Sequence, residues 1–154
     1  MKQHHYSLTV NWTGNKGEGT NGYKSYERSH EIMINEKVII KGSSDPAFLG
    51  DSTKHNPEDL LLASISSCHM LWYLHLCSHA GIVVTNYTDN AKGIMEETAD
   101  GGGKFTSVTL YPTITLKNIE QKNAANALHT KANALCFIAN SLNFKVQHQA
   151  TFIS

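Results

Sequence analysis

A long apolar segment after Asn56 is the feature that most constrains the fold of this chain. Its start carries several helix signals, because Asn56 can cap and Pro57 suits the first helical position. Glu58 and Asp59 favour the positive end of the helix dipole. Because the segment is apolar on nearly every side as far as Cys77, one sheet cannot cover it. We expect a second helix with a wrapped sheet, or more simply a partner subunit, to bury it.

The same segment is long enough to span a bilayer, and its composition argues against that interpretation. Several of its side chains are costly in lipid: Ser64, Ser66, Ser67, His69 and His75. No other span accompanies it. We therefore expect a buried core helix that ends near Gly81, a residue suited to a helix C-terminus, and no membrane partner.

Length and composition predict a single domain, residues 1–154, of an ordinary globular protein. Thirteen basic and thirteen acidic side chains cancel, so nucleic-acid binding is not expected. The N-terminal residues lack the apolar stretch of a signal peptide, which favours a cytoplasmic location. Three cysteines in a reducing compartment argue against structural disulfides and leave metal ligation, catalysis or plain burial.

Hydrophobic periodicity predicts an α+β domain in the order β-β-β-α-β-β-α-β. Residues 13–20 form a glycine-rich turn, residues 35–36 a tight turn, and residues 42–55 a loop. Pro112 places its strand at a sheet edge or at a bulge. The predicted strands cover 6–12, 23–34, 37–41, 82–95, 105–116 and 146–152, and the second helix covers 121–139.

Two of the cysteines suggest a redox site. Cys68 lies in the first helix and Cys136 on the apolar face of the second, in the column Leu128, Ala132, Cys136, so the two thiols could meet when the helices pack. Cys77 lies roughly 13 Å from Cys68 along the helix axis, too far for a disulfide. We expect Cys77 to be a core residue.

A reactive Cys68 needs a positive partner, because a buried thiol is mostly protonated at neutral pH. An arginine or lysine must supply the charge, and a carboxylate such as Glu58 can orient it. Glu58 lies roughly 15 Å from Cys68 along one helix. A cation reaching between them, or Glu58 of a second subunit, would bridge that distance. Alternatively, Glu58 only complements the helix dipole.

A metal site is the weaker alternative. His75 and His79 have the i, i+4 spacing that can hold one ion, but no third ligand is placed near them. His69 points about 100° away from Cys68 and is a weak partner for it. We expect no metal and no cofactor.

The chain resembles the OsmC/Ohr family of thiol peroxidases, in its OsmC-like branch. The resemblance rests on residues 56–63 (NPEDLLLA) followed by Ser67 and Cys68, with Cys136 in a late helix. Residues 42–48 and 68–77 support it, and it spans essentially the whole chain. It implies antiparallel sheets wrapped around a long central helix, in an intertwined homodimer with two active sites at the interface.

By the same resemblance, Cys68 is the peroxidatic cysteine, Cys136 the resolving cysteine and Glu58 the motif glutamate. The thiolate of Cys68 would reduce an organic hydroperoxide and become a sulfenic acid. Condensation with Cys136 would give a disulfide, which a cellular dithiol reduces. We expect apolar walls to favour a fatty or aromatic hydroperoxide, and the candidate residues are Leu61, Ile65, Trp72 and Phe144.

The chain departs from the family pattern at two positions. Leu49 stands where the OsmC-like branch carries an arginine, so Arg28, Lys16 or Lys54 would have to substitute, and a lysine lacks the bidentate geometry. Arg28 is the only arginine and the leading candidate. Phe137 replaces the proline that usually follows the resolving cysteine. The alternative function is therefore a weakened relative that binds an apolar ligand at the dimer interface.

Overall fold

The α+β class expected from the sequence is confirmed. A computed structural model describes all 154 residues and contains two α-helices, α1 (Pro57–His79) and α2 (Lys122–Leu135). The strands are β1 (Thr9–Trp12), β2 (His30–Met33), β3 (Ile40–Gly42), β4 (Val84–Asp89), β5 (Lys92–Glu97), β6 (Gly103–Leu110), β7 (Pro112–Leu116), β8 (Val146–His148) and β9 (Thr151–Ile153). The chain divides into two compact units, residues 1–61 and 62–154.

The 1–61 unit is built on one antiparallel sheet with the order β1-β2-β3. All three strands are shorter than expected, and residues 13–29 form a loop longer than the glycine-rich turn expected over residues 13–20. Gly17 and Gly19 have positive φ in this loop, a conformation that glycine adopts without strain. The turn expected at residues 35–36 is confirmed, since Lys37 N donates to Ile34 O at 3.1 Å.

Helix α1 begins and ends where the local signals predict. Asp59 N donates to Asn56 Oδ1 at 2.7 Å, and Asn56 N donates back to Asp59 Oδ2 at 3.4 Å, a reciprocal cap. At the other end Gly81 adopts φ 69°, and Ile82 N donates to Cys77 O at 2.9 Å. This closing geometry satisfies the last carbonyls of the helix.

One stripe of α1 is buried, and its members are Ile65, His69, Tyr73, Leu76 and Cys77. Their spacing of mostly four residues places them on one helical face. The remaining residues are partly or fully exposed, and Leu71 keeps 63% of its surface. By length and composition α1 could cross a membrane, a test that the core helix of a soluble protein also meets. Burial of the outer face by a partner subunit stays a prediction.

The 62–154 unit contains two three-stranded sheets, with the orders β4-β7-β9 and β5-β6-β8. The long strands predicted over 82–95, 105–116 and 146–152 are therefore wrong, because each divides into two strands that join different sheets. The pairs β4–β7 and β5–β6 are antiparallel. The pairs β6–β8 and β7–β9 are parallel, as expected when the intervening chain crosses over through α2.

The switch between the two sheets is marked by Asp89. Its Oδ1 accepts the N–H of Tyr111 at 2.7 Å, which replaces a ladder partner between β6 and β7. Its Oδ2 accepts the hydroxyl of Ser66 on α1 at 2.5 Å. Pro112 then opens β7 opposite Asp89, in the central strand of its sheet. The expected position of Pro112 at a sheet edge or at a bulge is wrong, because a strand's first residue also tolerates a missing N–H, and the register shift of the β4–β7 pair lies between Val84 and Asn86.

We predict that Asp89→Ala lowers the free energy of unfolding by about 2–3 kcal/mol, because the Tyr111 N–H and the Ser66 hydroxyl lose a charged acceptor. Urea unfolding followed by circular dichroism measures the change. Thr88→Ala, at an exposed position of β4, is the matched control and should change stability by less than about 0.5 kcal/mol. Equal effects of the two substitutions would contradict the role assigned to Asp89.

Candidate functional site

The two candidate redox thiols lie together within the 62–154 unit. The Cys68 side chain is within hydrogen-bonding reach of the Cys136 thiol, and neither forms a disulfide. Cys68 is partly exposed on α1, whereas Cys136 is fully buried. This arrangement leaves Cys68 open to a small oxidant and keeps Cys136 behind it.

Cys136 lies just outside α2, so the predicted helix over 121–139 is wrong at its C-terminal end. The helix ends at Leu135, and Cys136 has extended backbone with φ −67° and ψ 113°. The buried face of α2 consists of Ala125, His129 and Ala132. Cys136 is therefore not part of the helical column Leu128, Ala132, Cys136 that the sequence predicted. It is the first residue after the helix.

Burial raises the pKa of the Cys136 thiol to about 11, and the hydrogen bond with Cys68 adds to that rise. The Ala139 N–H donates to Cys136 Sγ at 3.4 Å and acts in the opposite direction, in favour of the thiolate. Burial wins, so Cys136 carries its proton at neutral pH. Cys77 is also buried, its pKa is raised by desolvation, and it belongs to the apolar core as expected.

Glu58 and Arg28 lie in the 1–61 unit, each in a distinct environment. Glu58 is in the first turn of α1, and its Oε2 is buried without a hydrogen-bond partner. The Arg28 guanidinium donates to the carbonyls of Tyr26 at 2.7 Å and Tyr23 at 2.6 Å. It also lies over both tyrosine rings, 4.1 and 4.5 Å from their centroids. Arg28 therefore stabilises the 13–29 loop through two hydrogen bonds and through cation–π contacts with both tyrosine rings.

The other cations considered for the thiolate are placed as follows. Lys54 Nζ contacts Asp51 at 3.2 Å and donates to Ser29 Oγ at 2.7 Å. Lys16 is exposed in the loop between β1 and β2. Leu49 ends a 3₁₀ turn with φ 60°, a left-handed conformation that is uncommon for a branched side chain, and it is exposed.

Of the four apolar side chains expected around a substrate, Leu61 lies in the 1–61 unit, and the other three are dispersed within the 62–154 unit. Phe144 lines a cavity of about 660 Å³ whose wall combines apolar side chains with three asparagines. Ile65 is fully buried in the core. Trp72 packs edge-on against Phe137, with 5.7 Å between ring centroids. Phe137, which stands where the family pattern has proline, contacts Trp72 and is otherwise largely exposed.

A cluster of three histidines, two of them buried, joins α1, α2 and β8 and was missed by the sequence analysis. His69 of α1 and His129 of α2 are joined by a 2.9 Å hydrogen bond between Nε2 and Nδ1. The ring of His148, on β8, lies 5.7 Å from His69 and 5.4 Å from His129. Tyr73 stacks on His129 at 3.9 Å. The sequence offered one signal for this cluster: His129 lies between Ala125 and Ala132 on the apolar face of α2, which indicates a buried histidine.

One N–H in this cluster is buried without a partner, whichever way the proton in the His69–His129 bond is assigned. The outer nitrogens, His69 Nδ1 and His129 Nε2, both lack hydrogen-bond partners. One neutral ring donates in the shared bond, so the accepting ring must carry its proton on its outer nitrogen. Such an orphaned donor costs about 1–3 kcal/mol of stability.

Burial lowers the pKa of both histidines, to about 4 for His69 and about 3 for His129. The neighbouring imidazoles act in the same direction, and no carboxylate opposes them. Both rings are therefore neutral across the physiological range. The exposed pair His75 and His79 is separate, and no group of three or more metal-binding side chains is arranged to hold an ion.

Comparison with known proteins places this geometry in a family. The family model described as "OsmC-like protein" matches residues 50–150, which include both thiols and the whole of α1 and α2. The chain belongs to the OsmC-like family. This confirms the resemblance on which the fold expectation rested.

Three relatives of this OsmC-like protein illustrate the match. An OsmC-like protein of unknown function from Vibrio cholerae is 28% identical with TM-score 0.82, over 96% of this chain and 99% of the other. Uncharacterized protein YmaD from Bacillus subtilis is 24% identical over 97% of this chain and 93% of its own length. An organic hydroperoxide resistance protein from Elizabethkingia anophelis is 21% identical with TM-score 0.71, over 99% and 100% of the chains. The last similarity shows a shared fold.

We predict that stability falls on acidification because of the buried histidines. Their folded pKa values lie below the ordinary value of 6.5, so the unfolded chain binds more protons between pH 6.5 and about 4. The contribution of these two histidines to the free energy of unfolding is therefore fully present above pH 6.5 and decreases below it, by on the order of 3 kcal/mol for each histidine at pH 4. Urea unfolding at pH 7, 5.5 and 4.5 measures the slope.

The variant His69→Gln/His129→Asn should flatten that slope, and the exposed pair His75→Gln/His79→Gln should leave it unchanged. An unaltered slope in the first variant would assign the acid sensitivity to other groups.

Proposed function

We propose that this OsmC-like protein is a cysteine-based peroxidase that reduces organic hydroperoxides. The observation that carries the proposal is the contact between the partly exposed Cys68 and the buried Cys136 within one unit. Membership of a family that includes organic hydroperoxide resistance proteins supports it. The activity suggests a role in the oxidative stress response, in the cytoplasm.

The first step oxidises Cys68. The thiolate sulfur donates an electron pair to the outer oxygen of the hydroperoxide, the S–O bond forms and the O–O bond breaks. The alkoxide leaves with a proton as the alcohol, and Cys68 becomes a sulfenic acid. The sulfur is oxidised by two electrons, and the hydroperoxide is reduced by two.

The second step forms the disulfide. The Cys136 sulfur attacks the Cys68 sulfur, the S–O bond breaks, and the hydroxide leaves as water with the Cys136 proton. Because Cys136 holds its proton at neutral pH and is already adjacent, it does not compete with Cys68 for the oxidant. A cellular dithiol then reduces the bridge by thiol–disulfide exchange and restores both thiols.

The cation and the assembly complete the proposal. We assign Arg28 as the activating cation and Glu58 as the carboxylate that orients it, acting in a homodimer whose interface contains both active sites. Proteins of this family are typically homodimers, and the outer face of α1 is partly uncovered in one chain. The unpartnered Glu58 Oε2 fits a carboxylate that awaits a cationic group.

A second candidate function is favoured by Leu49. This position is aliphatic where the family pattern has arginine, and the two N–H groups of Arg28 that point to Tyr23 and Tyr26 are already used. A chain with an unactivated Cys68 would bind an apolar ligand at the dimer interface without efficient turnover. Negligible turnover combined with an ordinary thiol pKa at Cys68 would identify this function.

We predict that stoichiometric cumene hydroperoxide converts the wild-type protein to a Cys68–Cys136 disulfide, detected by peptide mass spectrometry under non-reducing conditions. Cys68→Ser should abolish peroxide consumption. Cys136→Ser should still form a sulfenic acid at Cys68, trapped by dimedone, but should lose turnover with a dithiol by at least about 100-fold. Cys77→Ser is the control and should keep the reaction. Full alkylation of both thiols after hydroperoxide would reject the proposal.

We predict that Leu49→Arg lowers the thiol pKa of Cys68 by about one unit or more, because the family pattern has an arginine at this position and a guanidinium that reaches a thiolate favours the charged form. The pH dependence of iodoacetamide alkylation at Cys68 measures the change. Leu49→Gln is the uncharged control and should leave the pKa unaltered. The same pKa in both variants would mean that the 42–55 loop does not supply the activating charge.

A further inference from the structure

We propose that the hydrogen bond between His69 and His129 positions α2 on α1 so that Cys136 can reach Cys68. The two histidines are thus positioning residues for disulfide formation and take no part in the chemistry. The inference rests on the proposed function in one respect, because it concerns the disulfide step of that reaction. The ability of the two thiols to form a bridge can nevertheless be measured with any dithiol.

Each of the two rings lies on a helix that also leads to one of the thiols. His69 is the residue next to Cys68 on α1. His129 lies on α2, seven positions before Cys136, which is roughly 10 Å of helical rise. Their 2.9 Å hydrogen bond directly joins side chains of the two helices. A directional bond at this point limits both sliding and rotation of α2 beside the thiols.

The surroundings hold the two rings in place. Tyr73 stacks on His129 with 3.9 Å between centroids and an angle of 8° between planes. His148 of β8 flanks both rings, and Phe152 of β9 lies 6.1 Å from His129. Both rings are at most 1% exposed. The imidazoles cannot rotate freely, so the hydrogen bond between them fixes the distance between the two helices at this point.

Packing alone does not account for this pair. Two apolar side chains of similar size would fill the same space without leaving a buried N–H unpaired, as His69 and His129 do. The apolar neighbours Ala125 and Ala132 already bring α2 close to the core. The histidines add a directional contact between the helices. Apolar contacts permit small shifts of one helix against the other, whereas a hydrogen bond weakens when its distance or angle changes.

Disulfide formation needs that accuracy. The bond requires Cα atoms within about 7 Å and a torsion near 90° about the two sulfur atoms. Cys136 follows α2 directly and has extended backbone, so its position depends on where α2 ends. A displacement of about 1 Å can reduce the rate of such a reaction by roughly 100-fold.

The test compares His129→Asn with His129→Leu in the full-length protein. Asparagine and leucine have nearly the same shape, but only asparagine places a polar atom where His129 Nδ1 lies. Each variant is equilibrated with reduced and oxidised dithiothreitol, and the Cys68–Cys136 bridge is quantified by mass spectrometry after acid quenching. We expect His129→Asn to keep the equilibrium constant within about threefold, and His129→Leu to lower it by about tenfold or more.

Thermal unfolding of the reduced proteins separates positioning from packing. In a buried site leucine should be at least as stabilising as asparagine, so the order of stability should oppose the order of disulfide formation. Equal equilibrium constants for the two variants, or a higher constant for His129→Leu, would overturn the proposal. His69→Gln and His69→Met repeat the comparison from α1, because glutamine reaches the Nε2 position and methionine is its apolar counterpart.

A parallel experiment with hydroperoxide separates the peroxidase proposal from the positioning role of the histidine pair. In a Cys136→Ser background, dimedone trapping at Cys68 reports the first step alone, and we expect the His129→Asn and His129→Leu variants to be trapped at similar rates. If hydroperoxide produces no sulfenic acid even in the wild type, the peroxidase proposal fails. The dithiothreitol comparison still decides whether the histidine bond positions the thiols.

Discussion

Burial of one stripe of α1 against α2 and the β4-β7-β9 sheet is the constraint on which the 62–154 unit depends. The cluster joins Tyr73 and Leu76 of α1 to Ile114 and Leu116 of β7. The alanines of α2 in this cluster are small, which leaves room for ring-sized side chains between the two helices. The thiol contact and the histidine pair both depend on this packing, because each brings together one residue from α1 and one from α2 or its end.

The chain passes from one sheet of this unit to the other at two neighbouring points, and these crossovers set the position of the elements around the site. The chain leaves β4 and enters β5 just beyond Asp89, and it leaves β6 and enters β7 at Tyr111, where the Asp89 carboxylate binds the backbone. The same carboxylate accepts the Ser66 hydroxyl, two residues before Cys68. One acidic side chain thus connects the sheet crossover to the helix that carries Cys68.

Features that depend on neighbouring residues could be predicted from the sequence, whereas most features that depend on tertiary contacts could not. The ends of α1 could be predicted because its caps lie in the adjacent sequence. The division of residues 105–116 could not, since apolar alternation continues through Pro112 and only the Tyr111–Asp89 bond marks the break. The pairing of Cys68 with Cys136 was predictable from two thiols on two packing segments. The His69–His129 bond was not, because 60 residues separate the rings and an isolated histidine has no distinctive pattern.

The electrostatics of the 1–61 unit favour a second copy of the chain as the missing component. Glu58 Oε2 is buried without a partner, while Arg28 is held by two backbone carbonyls and Lys54 by Asp51. An unpaired carboxylate oxygen is destabilising unless a cation or a donor approaches it. The outer face of α1 is likewise apolar and partly exposed, with Leu71 at 63%. The proposed homodimer accounts for both, because one docking event can cover the apolar face and bring a donor to the glutamate.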